Sequence, residues 1–373
     1  QSDLTYHLPY KFKLETGFKS TLQYYSSDSR FFNYQNGEEV KDSMRTNRYN
    51  YQERISGIYV QVSRELWGGF LLKSGVRMED TYMKGNQLVP SDTSFLVNRA
   101  DWFPYVYLSR PFSIIFDIDL QLYVIYRKTI NRPNYQNLNP SVRYVDQFLY
   151  ETGNPELKPQ FTDNVELNVS YDDTPLFAIG QNYVNDIFSN VTYKDKNNPN
   201  IGVRTYDNLG KSKETYLRGI VGIPPGRKYF FALGAQYNLN EFEGFYDNEP
   251  FTYERGSWRF FTFHSLKLFE NTRLRLSGFM MENGSWNFYE LKTFGQLNFG
   301  ISQDLFDKKL NISFSARDIL RTMKNEFTLN VGSLYATGTH YFDAQRFGIN
   351  IRYNFGIKDK EEKKEFMKEN GDE

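Results

Sequence analysis

The sequence predicts an all-β protein, a transmembrane up-and-down antiparallel β-barrel, from three observations. Apolar and polar residues alternate with period two over long segments. The connections between those segments alternate between short and long, and aromatic rings gather at the segment ends.

The alternation is clearest from Ser113 to Arg127, where Ile114, Phe116, Ile118, Leu120, Leu122, Val124 and Tyr126 stand against Asp117, Asp119, Gln121 and Arg127. One face is apolar and the other charged. In chain order, Leu4, Tyr6 and Leu8 read as the tail of an earlier strand before the turn at Pro9-Tyr10. Two-faced segments then begin near Phe12, Ile58, Phe70, Trp102, Ser113, Val165, Phe177, Leu217, Phe231, Trp258, Leu274, Leu297, Leu310 and Phe347. That makes about fourteen strands.

Short connections rich in turn residues fall at Trp67-Gly68-Gly69, Arg110-Pro111-Phe112, Asp172 to Pro175, Pro224 to Arg227, Glu270-Asn271-Thr272 and Phe306-Asp307-Lys308. Long polar connections are expected at about 30–48, 84–100, 131–160, 194–213, 240–253, 282–292 and 319–341. A meander with tight turns at one end and long loops at the other has this rhythm, whereas a Greek-key sandwich does not. The aromatic clusters weigh the same way. Phe31, Phe32 and Tyr34, then Tyr49 and Tyr51, Trp67 and Phe70, Tyr105 and Tyr107, Tyr229 to Phe231, Trp286, Phe288 and Tyr289, and Tyr353 and Phe355 are read as girdles at the bilayer borders.

Composition excludes several classes. The 373 residues contain no cysteine, so disulfides, thiolate zinc sites and cysteine nucleophiles are absent. Forty-five basic side chains balance 45 acidic ones, which gives no electrostatic footprint for nucleic acid. Mean hydropathy is −0.64 and no apolar run is long enough for a helical span. Yet 33 Phe, 29 Tyr and 4 Trp need an apolar setting, which argues against disorder. His7, His264 and His340 are scattered without ligand spacing, and Gly210-Lys211-Ser212 lacks the glycine and helix of a phosphate loop, so neither metal, cofactor nor enzyme chemistry is expected.

The stretch Ile130-Asn131-Arg132-Pro133-Asn134-Tyr135, Leu138-Asn139-Pro140, Tyr150-Glu151-Thr152-Gly153-Asn154-Pro155-Glu156-Leu157-Lys158-Pro159 and Phe161 to Leu167 resembles the barrel of TonB-dependent outer-membrane receptors, in the Bacteroidota-type outer-membrane β-barrel branch. Leu14 to Ser20, Gly75 to Glu79 and Arg346 to Gly356 are similar in the same order. The resemblance implies that residues 1–356 are a barrel wall, the C-terminal part of a 22-stranded barrel, and that 357–373 are a charged periplasmic tail. It further implies outer-membrane lipid around the wall and an N-terminal plug with the remaining strands outside this sequence. TonB would act through that N-terminal region, with a surface lipoprotein as a further partner. The long loops would be extracellular. Whether the strand near Lys11 to Tyr25 pairs with the one near Arg346 to Phe355 decides between a partial wall and a complete small barrel.

Two groups of residues are candidate sites. Arg132, Pro133, Asn139, Pro140, Gly153, Asn154, Pro155, Leu157, Lys158 and Pro159 form the family's loop motif, read as structural rather than ligand-touching: the prolines stiffen the loop and Gly153 supplies an unusual φ. Lys73, Arg77, Glu79, Asp117, Asp119, Arg127, Arg317 and Arg352 are expected to face the lumen. The function expected is energised uptake of a large or scarce solute through a plugged lumen. The alternative is a passive pore or scaffold barrel in a surface or secretion complex, and a soluble glycan-binding β-protein is a third.

Overall fold

The computed structural model describes residues 1–355 apart from 44, 91, 115–117, 172–173, 224–227, 287 and 332–333. Asp117, the turns at 172–173 and 224–227, and the charged tail lie outside the described residues. The chain is a meander in which each long strand pairs antiparallel with the next. It begins with β1 (Ser2–Leu8) and β2 (Phe12–Ser29). A small hairpin of β3 (Phe32–Gln35) and β4 (Glu38–Lys41) follows, then β5 (Asn47–Glu65), β6 (Leu71–Val89), β7 (Thr93–Ile114) and β8 (Ile118–Asn131). The single helical turn α1 (Tyr135–Leu138) and the short β9 (Arg143–Tyr144) and β10 (Leu149–Glu151) precede β11 (Gln160–Tyr171), β12 (Thr174–Lys194), β13 (Gly202–Ile223), β14 (Tyr229–Tyr246), β15 (Glu249–Phe269) and β16 (Thr272–Glu282). After β17 (Ser285–Trp286) and β18 (Tyr289–Leu291) come β19 (Phe294–Leu305) and β20 (Leu310–Arg317). The hairpin β21 (Lys324–Val331) and β22 (Leu334–Tyr341) leads to β23 (Arg346–Tyr353).

β2 pairs with β1 and β5. β23 pairs with β20. No pairing joins β23 to β1 or β2 among the described residues, so the sheet is not closed. Membrane geometry explains why the two faces look inverted. Val165, Leu167, Ile179, Leu217, Trp102, Phe347 and Ile349 lie exposed on one face. Asn164, Glu166, Asn168 and Ser170 are buried on the other. A soluble sheet buries its apolar face against a partner; here that face has no protein on it and suits lipid.

The connections correct two expectations. Arg110-Pro111-Phe112 is no turn but part of β7, which runs to Ile114, so the Ser113 to Arg127 segment is divided between β7 and β8. At 84–100 and 240–253 the sequence suggests polar loops, but β6 runs to Val89 and β7 starts at Thr93, while β14 reaches Tyr246 and β15 starts at Glu249. Asp247 and Asn248 close that last hairpin at φ 52° and 65°, the left-handed conformation a two-residue type I′ turn demands and short Asx side chains tolerate. The 319–341 stretch likewise holds the β21–β22 hairpin. Strands of 18 to 22 residues far exceed the roughly 9–11 needed to span, so their long-loop ends stand clear of the apolar band.

Both packed cores lie in those extensions. Tyr49, Tyr51, Met83, Leu138 and Leu157 form one; Val191, Leu209, Phe242, Tyr246, Phe288, Leu329 and Val331 form the other. This corrects the reading of Tyr49, Tyr51 and Phe288 as girdle rings: they are buried, because protein rather than lipid covers the sheet at this height. Tyr105 and Tyr107 pair across from Arg127 and Ile125 on the polar-face register, and so face away from lipid as well. Tyr229 and Phe231 stack on His264 on the apolar face, as interfacial rings would.

Glycine placement is tied to these rings. A side-chain carbon at Gly234 would meet the Phe261 ring of the neighbouring strand, one at Gly85 the Phe95 ring, and one at Gly180 the Tyr216 ring. Each aromatic lies flat across a cross-strand glycine and covers backbone that would otherwise be bare.

Candidate functional site: a vestibule at the long-loop end

The loop motif builds one wall of a cavity. Arg132 follows the last residue of β8 and reaches over β7 to β6, donating to Glu79 Oε2 at 2.6 Å and to Thr81 Oγ1 from Nε at 3.1 Å. Pro133 is buried behind it. Asn134 caps α1 reciprocally: its Oδ1 accepts from the Gln136 and Asn137 backbone N–H groups, while its own N–H donates to Asn137 Oδ1. Gly153 N–H then donates to the Asn139 carbonyl at 2.8 Å, and Asn154 N–H to the Asn137 carbonyl at 2.7 Å. A Cβ on Gly153 would sit 2.5 Å from the Asn139 oxygen and 2.6 Å from the Asn137 oxygen, so glycine is needed here for close approach and not, as the sequence suggests, for an unusual φ, which it does not adopt.

The rest of the motif is anchored to the sheet. The Asn154 side-chain amide donates to the Tyr206 carbonyl, and the Lys158 N–H donates to Asn208 Oδ1. Thr152 Oγ1 donates to the Pro140 carbonyl. Leu157 and Pro159 are buried, and Pro155 sits in the turn between them and the Asn154 anchor. The motif's own polar groups are therefore largely spent on the chain itself. β10 completes the wall by pairing parallel with β13 in an otherwise antiparallel structure.

Opposite this wall stands the sheet of β17, β18, β21 and β22. Between them lies a cavity of about 980 Å³. Its rings are Tyr25, Tyr135, Tyr206, Tyr246, Phe288 and Tyr289, and its polar groups include Gln136, Asn139, Asn190, Arg143, Glu151 and Arg204. Tyr25 and Tyr135 stack with centroids 4.1 Å apart. Glu151 accepts from Arg204 at 2.8 Å and also from Arg143. Its partial burial would raise its pKa, but the two guanidinium groups outweigh that and hold it below the ordinary carboxylate value. Next to it, burial and a hydrogen bond to Asp195 push the Tyr150 hydroxyl up to about 12, so it stays a donor at any physiological pH. The Ser141 hydroxyl, buried in this wall, has no hydrogen-bond partner among the described residues. Aromatic faces, amides and a nearly balanced charge trio can hold a large polar solute by stacking and hydrogen bonds.

The charged candidates lie elsewhere, on the polar face. Arg77 pairs with Glu79 at 2.8 Å. Lys73 lies over the Tyr107 ring, and Arg127 donates to Asn164 Oδ1. Asp119 sits near the tight-turn end opposite Ser113, while Arg317 and Arg352 occupy the last two strands of the sheet. The motif and these charges meet only at Glu79, where Arg132 and Arg77 share one carboxylate. The vestibule rings were not legible as a site, since Tyr25, Tyr206, Tyr246 and Phe288 come from four distant segments and read individually as strand or girdle residues.

No group of three or more His, Asp or Glu suited to a metal occurs among the described residues. No curated protein matches the sequence. Among solved structures, a mutant of the ferric enterobactin receptor from Pseudomonas aeruginosa matches at 15% identity and TM-score 0.53, over 94% of this chain and 52% of its own. The ferric yersiniabactin uptake receptor from Yersinia pestis matches at 12% and 0.61, over 92% and 51%. The copper transporter OprC matches at 11% and 0.60, over 94% and 55%. The chain thus spans about half the length of these structures, and the likeness is one of fold. A family model described as outer membrane protein beta-barrel family matches residues 1–353, and the chain belongs to that family.

Proposed function

We propose that this chain is the transport wall of a TonB-dependent receptor of the Bacteroidota-type branch, taking up a large or scarce solute that is first held in the vestibule. The vestibule carries the reading. A passive pore gains nothing from a cavity of about 980 Å³ lined by six aromatic rings across its mouth, whereas a receptor needs such a capture site. The long-loop end is then extracellular and the tight turns and C-terminus periplasmic. The unpaired edges of β1 and β23 support closure by further strands around a plug, since bare backbone edges in hydrocarbon cost several kcal/mol each.

Because the similar structures include receptors for ferric chelates and a copper transporter, metal chelates are the first solutes to try. Uptake in cells with and without a working TonB tests the proposal: accumulation that disappears without TonB supports it. Equal accumulation in both strains, rising linearly with external solute, would make the protein a passive pore.

A further inference from the structure

The polar face is electrostatically divided. From β2 to β13 most of its cations have partners: Lys13 with Glu15, Arg77 and Arg132 with Glu79, Arg99 with Asp101, and Arg218 with Glu166 are ion pairs of 2.6 to 2.8 Å, while Lys73 lies over the Tyr107 ring and Arg127 donates to the Asn164 amide oxygen. In the β15 to β23 half the ion pairs, Arg255 with Glu290 and Lys292 and Lys324 with Glu326, lie at the long-loop end, and the wall below them has no such balance. Register carries one face continuously across it: Gln236 opposes Arg259, Phe261 opposes Phe279, Phe279 opposes Gln296, and Arg317 opposes Arg346. Arg259, Arg273, Arg275, Arg317, Arg346 and Arg352 share this face, and none makes an ion pair among the described residues. The acids on the same face of these strands are Glu249, at the long-loop end of β15, and Asp304, which accepts from the Asn311 amide at 2.7 Å.

Arg273, Arg275 and Arg317 line one cavity of about 530 Å³ together with Ser277, Asn298 and Ser315. Beside it on the same register stand two exposed rings, Phe261 and Phe279. Like charges directly opposite one another, as Arg317 and Arg346 are, destabilise a bare sheet. Exposed phenyl rings on a polar wall add a second unsatisfied requirement. A dissolved anion would answer the arginines but leave the rings in water. A folded polypeptide presenting carboxylates beside an apolar patch answers both.

We infer that the β15–β23 half of the inner wall grips an acidic, partly apolar polypeptide surface inside the lumen. The largely self-paired β2–β13 half is then the side along which the solute passes. This rests on the proposed plugged receptor and goes further, assigning the plug's grip and the solute's path to opposite halves of the wall. Salt bridges already closed within the wall do not hold a moving domain, so that half releases it.

The absence of native cysteine makes the test direct. Single cysteines are placed at Ser277 and Ser315 on the gripping half and at Gln61 and Gln121 on the other. A small polar maleimide is applied to outer membranes holding the whole native receptor. Several-fold slower labelling of Ser277→Cys and Ser315→Cys than of Gln61→Cys and Gln121→Cys is expected. Adding Arg275→Glu and Arg317→Glu should abolish the difference, and Arg275→Lys with Arg317→Lys should keep it. Fast labelling at all four sites would mean an unplugged lumen and sink the receptor reading itself. Equal protection, reversed protection, or indifference to the charge reversal would leave a plugged lumen and overturn this inference.

Discussion

Arg132 and Glu79, 53 residues apart in sequence, are joined by a 2.6 Å ion pair whose side chains are 14% and 13% exposed. The bond ties the end of β8 to β6 across the intervening β7 and sets where the loop motif begins. Removing one partner of a buried pair leaves an uncompensated charge, which costs about 3–5 kcal/mol. Because Arg77 also reaches Glu79, Arg132→Ala should fall at the low end of that range, about 3 kcal/mol. Unfolding in detergent, run as a double-mutant cycle with Glu79→Gln, measures it; additive effects of the two changes would show that the pair is not coupled.

Gly153→Ala should loosen the vestibule wall. The added methyl collides with two backbone carbonyl oxygens that cannot swing aside as a flexible side chain would. A cost of about 1–3 kcal/mol is expected, with new protease cleavage between residues 139 and 158 while the membrane strands stay protected. Wild-type cleavage patterns in Gly153→Ala would refute the steric argument. For the same reason, deleting 136–150 should harm the fold at this end, since it removes the fully buried Leu138 and the carbonyls that Gly153 and Asn154 use.

The assigned faces can be checked by charge. Leu167 lies on the apolar face midway along β11, opposite Val124 and Ile179. Leu167→Arg should cost about 2–4 kcal/mol near the bilayer midplane. Asp119→Arg, on the other face, should be mild. Equal folded yield of both variants in outer membranes would contradict the orientation of the wall.

Acid should open the vestibule before it unfolds the wall. Glu151 is held below its ordinary pKa, so the stability it contributes is complete above the normal carboxylate range and is lost as pH falls through its lowered folded value. Asp195 is lowered likewise, by its hydrogen bonds to Tyr150 and the Asn197 and Asn198 N–H groups. A spin label on Asp146→Cys should therefore keep constant mobility from pH 7 to about 5 and gain mobility only below about 4. In the Glu151→Gln background the label should already be mobile at neutral pH. A transition near pH 6 to 7 would implicate another group.

Sequence alone determined the two alternating faces and the meander, but not every strand boundary: Ser113 to Arg127, one segment by alternation, is divided between β7 and β8, and the hairpins β3–β4 and β21–β22 fall within what read as loops. Alternation is a local property: Leu122, Val124 and Tyr126 point away from Gln121 and Arg127 whatever else the chain does. The turn chemistry is equally local. Tertiary structure decided what meets each face. Tyr49 and Trp102 both read as girdle or strand rings, yet Tyr49 on the polar face is fully buried beneath the motif's Leu138 and Leu157, while Trp102 on the apolar face stands 62% exposed. Whether Arg99 or Arg275 has a partner depends on register between strands and on the side chain beside it, which period-two alternation does not encode. The vestibule, assembled from rings more than a hundred residues apart, exists only once the loops have folded back over the mouth.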